Sequence, residues 1–68
     1  MNYTKTVAAN IRANMARSEY RVDDLAVVIG KHPTSALQKY KGITRITVDE
    51  LGAISEWLNI PVADFFTN

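Results

Sequence analysis

Within the eleven residues from Lys31 to Lys41 stand Lys31, His32, Thr34, Ser35, Gln38, Lys39 and Lys41, all able to donate or accept hydrogen bonds. A glutamine amide offers donor and acceptor side by side, and a hydroxyl serves as either, so this set suits the reading of a patterned polar surface. It does not suit bond-making chemistry. The chain has no cysteine and a single histidine, which excludes a thiolate nucleophile, an imidazole pair and a cysteine–histidine metal site. The neighbouring carboxylates Asp23/Asp24 and Asp49/Glu50 stand at expected helix starts, where the helix dipole accounts for them without an acid–base role. No glycine loop able to cradle phosphate occurs. An enzyme is not expected, nor a cofactor, metal or small-molecule substrate.

The elements that must position these side chains are helices. Val7, Ile11 and Met15, with Ala8, form an i, i+4 stripe that predicts a helix over residues 4–17, with Thr4 as N-cap. The next helix is predicted from Val22 to Ile29, Leu25, Ala26 and Ile29 facing inward and Gly30 supplying a left-handed stop. Pro33 suits the first position of a third helix over residues 33–41, closed by Gly42. Thr47-Val48-Asp49-Glu50 has the form of a capping box, and Ile46 and Leu51 stand at hydrophobic-staple spacing. The buried face of this fourth helix is expected to be Val48, Leu51, Ile54, Ser55 and Leu58. A turn at Asn59-Ile60-Pro61 leads to a final short helix or helical turn at residues 62–66. The expected architecture is all-α, five short helices in one domain spanning residues 1–68.

Length and charge narrow the class further. At 68 residues the chain holds one domain, and a domain this small buries only about 60% of its unfolded surface. No apolar run approaches the roughly 18 residues of a membrane span, and the N-terminus lacks a secretory apolar segment. An intracellular soluble protein is therefore expected. Net charge is only +1, but it is divided. Residues 1–45 hold all eight Lys and Arg against three acids, a balance of +5, and residues 46–68 hold four acids and no Lys or Arg. Such a division focuses a positive field on one part of the surface.

Ile11-Arg12, Leu25-Ala26 with Gly30, Gly42, and then Leu51, Ile54, Leu58, Ile60, Val62 and Phe65 in gap-free register resemble the Cro/repressor-type helix-turn-helix family of phage and bacterial transcription regulators. The resemblance covers about residues 7–66. It implies a compact lambda-repressor-like DNA-binding domain with its helix-turn-helix over about residues 22–41, in a small Cro-like repressor. Where members commonly carry an arginine–glutamate ion pair, this chain has Met15 and Tyr40. Val22 replaces a glutamine that touches phosphate, and Pro33 replaces a polar base reader. The usual isoleucine of the third helix aligns with Ala36, leaving Leu37 outward, unless the turn is one residue longer and Leu37 takes the core place.

With the third helix as recognition helix, roles follow from side-chain chemistry. His32, Thr34, Ser35, Leu37 and Gln38 are the expected base readers, Gln38 being suited to bidentate contact with adenine. Arg21, Lys31, Lys39, Lys41, Thr44 and Arg45 are the expected phosphate contacts, with backbone N–H groups near Gly42; these set affinity and register. One such helix reads few base pairs, so a homodimer on a two-fold symmetric double-stranded operator is expected, paired through Trp57, Val62, Phe65 and Phe66, with closure of the monomer's core an equal alternative for Phe65. The alternative is a protein-interaction module of the same fold, antitoxin-like or anti-repressor, working through its acidic, aromatic C-terminal third.

Overall fold

A computed structural model describes residues 3–67. Among them run four α-helices, α1 (Tyr3–Arg17), α2 (Val22–Ile29), α3 (Pro33–Tyr40) and α4 (Val48–Leu58), then a 3₁₀ segment, Val62–Phe66. There is no strand among the described residues. The fifth expected helix is thus a single 3₁₀ element. Thr4, expected as the N-cap of α1, lies inside that helix.

The apolar spacing meets in one core. Val7, Ile11 and Met15 of α1 pack with Leu25 and Ala26 of α2, Ala36 of α3, Leu51 and Ile54 of α4, and Phe65 of the 3₁₀ segment. Contacts are most extensive between α2 and α3 and between α1 and the 3₁₀ segment. The α4 face departs from expectation at one residue. Val48 is 86% exposed, because Ile46 folds back against the core at this end and leaves the first residue of α4 facing outward.

All four α-helices stop in the same way. Glu19, Gly30, Gly42 and Asn59 have positive φ. Each N–H, and that of the following residue, returns to a carbonyl of the preceding helix, as in Gly30 to Val27 and Lys31 to Ala26. This paired pattern satisfies carbonyls that a helix end otherwise leaves open. Gly42 has a second constraint. A Cβ there would lie 3.3 Å from Ala8 Cβ and 3.5 Å from Lys5 Cα, so the turn after α3 sits directly against α1. Gly42→Ala should lower stability by about 1–2 kcal/mol from the left-handed backbone alone, read as a shift of the urea midpoint. The starts are equally local. Thr47 Oγ1 accepts from Glu50 N–H, Glu50 Oε1 accepts from Thr47 N–H, and Asp24 Oδ2 accepts from Arg21 N–H.

The C-terminal segment is tied down by one side chain. Asn10 Nδ2 donates to the carbonyls of Thr6, Phe65 and Thr67 at 3.0, 2.8 and 2.7 Å, so its two hydrogens are shared among three acceptors. No helix among the described residues is long and apolar enough to cross a membrane.

Candidate nucleic-acid interface

Gly30, with φ 67° and ψ 35°, ends α2 and redirects the chain through residues 30–32 into α3. His32 is the N-cap of α3, its Nδ1 accepting from Thr34 N–H at 3.1 Å, and Pro33 opens the helix. An Nδ1 that accepts must be unprotonated, so in the neutral ring the proton sits on Nε2, leaving a donor at that end. The periodicity of α3 then separates two faces. Ala36 is fully buried, and on the opposite side Thr34, Leu37, Gln38 and Lys41 share a stripe at i, i+3, i+4 and i+7. Thr34, Ser35 and Lys41 are exposed, and Leu37 and Gln38 are half-buried. Ala36 therefore takes the core place, and Leu37 stands at the edge of the outward stripe.

The back of α3 is anchored twice by charge. Lys39 Nζ donates to both carboxylate oxygens of Glu50, at 2.5 and 2.6 Å. Only 10% of the Lys39 side chain and 6% of that of Glu50 are exposed. Burial pushes the Glu50 carboxyl up, but hydrogen bonds from Lys39 and the Thr47 backbone, with the Lys39 charge, outweigh it and hold the group below its ordinary value. One carboxylate thus closes the capping box of α4 and receives α3. On the other flank Arg12 Nη1 donates to the Tyr40 carbonyl at 2.7 Å, its guanidinium 5.9 Å from the centre of the Tyr40 ring. The arginine of α1 and the end of α3 do meet, through a carbonyl and a ring, while Met15 is core.

These contacts revise several assignments. Lys39 is no phosphate ligand, because its amine is buried and held by Glu50. The N–H groups near Gly42 are also occupied: Gly42 donates to Lys39, and Ile43 and Thr44 both donate to the Gln38 carbonyl. Of that loop, the exposed side chains of Ile43, Thr44 and Arg45 remain to meet a partner. Arg21, Lys31 and His32 are exposed as expected. The aromatic assignments divide. Phe65 is 0% exposed and belongs to the core, so it forms no interface. Trp57 is half-buried, its ring centre 4.4 Å from that of Tyr20. Val62 and Phe66 are each 41% exposed, Phe66 stacked edge-on against Tyr3.

Glu50, Arg12 and Asn10 were missed as positioning residues. The capping box signalled Glu50's local role, but its second partner lies across a loop, and no local spacing announces Arg12 at Tyr40 or Asn10 at Phe65. No group of histidine, cysteine or carboxylate side chains able to hold a metal occurs among the described residues. Comparison with family models, curated proteins and solved structures finds no match to the chain.

Proposed function

We propose that the chain is a sequence-specific double-stranded DNA-binding transcription regulator, a Cro-like repressor of the helix-turn-helix type, that reads the major groove with α3. The observation that carries this reading is the division of α3 itself. Its rear is fixed by Ala36, the Lys39–Glu50 pair and Arg12, while its front presents Thr34, Ser35 and Gln38 with His32 ahead of them. A rigidly backed helix with hydrogen-bonding groups on its free face is what base reading requires. Exposed Arg21, Lys31, Lys41 and Arg45 flank the helix in sequence and supply phosphate anchoring. Burial of Phe65 and the packing of Trp57 on Tyr20 leave Phe66 as the one exposed aromatic, among the described residues of the C-terminal third, on which an interaction module would depend.

The reading separates two variants. Gln38→Ala should weaken duplex binding by about 1–3 kcal/mol and relax preference at one base position. Lys41→Ala should weaken all duplexes alike and reduce the salt dependence by about one counterion. Fluorescence anisotropy across a panel of single-base variants at two salt concentrations measures both. Identical behaviour of the two variants would contradict the split between reading and anchoring.

A further inference from the structure

His32 differs from the other polar groups on the front of α3. The hydroxyls of Thr34 and Ser35 and the amide of Gln38 each donate and accept, so each can turn to suit either kind of edge. The His32 ring has no such freedom. Pro33 confines the residue before it to extended backbone, and His32 has φ −63° and ψ 145°. Its Nδ1 is then taken by the Thr34 N–H at 3.1 Å. What is left for a partner is Nε2, on the far side of the ring, and in the neutral ring that nitrogen carries the proton. An exposed side chain is thereby fixed as a donor with no free acceptor. It stands at the N-terminal end of α3, the end from which a recognition helix contacts base edges.

Bases differ in how they receive such a donor. In the major groove guanine presents two adjacent acceptors, N7 and O6. Adenine sets its N6 amino donor beside N7, thymine sets a methyl beside O4, and cytosine offers a donor only. Guanine alone therefore gives a donor-only group two neighbouring acceptors and no opposing donor of its own. We infer that His32 is a specificity-determining residue that selects a G·C pair in each half-site, donating Nε2–H to guanine N7 or O6. The capping bond to Thr34 is what makes it selective, because it removes the nitrogen that could accept. This selection rests on the DNA reading of α3 and names a base that α3 requires.

Two measurements test it. His32 is the one histidine of the chain, so its ring is observed without assignment. Imidazole nitrogen chemical shifts of the free chain, recorded where the ring is neutral, should show Nε2 protonated and Nδ1 bare. The opposite tautomer, or a mixture of the two, overturns the inference without any DNA present. The second measurement compares binding sites selected from random duplexes by the wild type and by His32→Ser. Serine is a preferred N-cap, so the melting temperature should not fall, but its hydroxyl is too short to replace Nε2. The wild type should enrich guanine at one position per half-site where His32→Ser selects no base. The affinity of the variant for the wild-type consensus should fall about three- to tenfold per half-site, the size of one neutral hydrogen bond. A consensus common to both proteins, or an A·T pair at the position the variant loses, overturns the role of His32 and leaves the DNA reading standing. A wild-type library with no enriched site removes both.

Discussion

Lys39→Ala is expected to destabilise the fold by about 3–5 kcal/mol, because it leaves the Glu50 carboxylate buried without its cation. A domain of this length has about 3–10 kcal/mol in all, so the variant should be largely unfolded in mild urea. A surface lysine placed to meet phosphate would instead change stability by no more than about 0.5 kcal/mol. Denaturation by urea therefore separates the two roles without any DNA present, and an unmoved midpoint contradicts the buried pair. Lys39→Met combined with Glu50→Gln should recover most of the loss, since the glutamine still closes the capping box and no charge is left unpaired. The pair also sets an acid limit. Glu50 is held below its ordinary value in the folded chain, so its contribution is fully present above that value. It is lost as pH falls below about 4.3, the unfolded glutamate range, through the lower folded one. The acid transition of the Lys39→Met/Glu50→Gln protein should accordingly be shallower than that of the wild type.

Phe65→Ala should cost about 3–5 kcal/mol, the range for removing a large buried aromatic. Phe65 has no exposed surface, and its carbonyl is held by Asn10. Loss of the ring removes the contact that seats the 3₁₀ segment on α1. Thermal melting followed by circular dichroism reads this directly. Phe66→Ala, one residue on and 41% exposed, should cost far less, and equal losses from the two substitutions would contradict the assignment of Phe65 to the core.

Sequence periodicity located the helices because each apolar stripe repeats within one element: Val7, Ile11 and Met15 write α1 without reference to anything else. Helix ends were legible where glycine marks them, at Gly30 and Gly42. The ends at Arg17 and before Asn59 were legible too, from the break in period and the Asn59-Ile60-Pro61 turn, but not the left-handed geometry that Glu19 and Asn59 share there, because neither residue type demands it. Lys39 shows the opposite limit. On a helical wheel Lys39, three residues after Ala36, shares the buried face, but a lysine's charge reads as solvated, and only the return of Glu50 across the loop makes burial favourable. Phe65 and Phe66 are adjacent aromatics of identical chemistry, and although the apolar register runs through Phe65 alone, it also runs through exposed Val62, so register by itself did not divide core from surface. The 3₁₀ geometry and Asn10 decide it. Ala36 against Leu37 was a question of one residue of turn length, which the His32 cap and Pro33 answer by fixing where α3 begins.

Selection of binding sites from random duplexes at low salt, followed by titration of the enriched site at two higher salt concentrations, tests the DNA reading most directly. The account predicts a two-fold symmetric consensus, its half-sites about one helical turn apart, with affinity falling steeply as salt rises because several phosphates are neutralised. A library that emerges unenriched at low salt would contradict it.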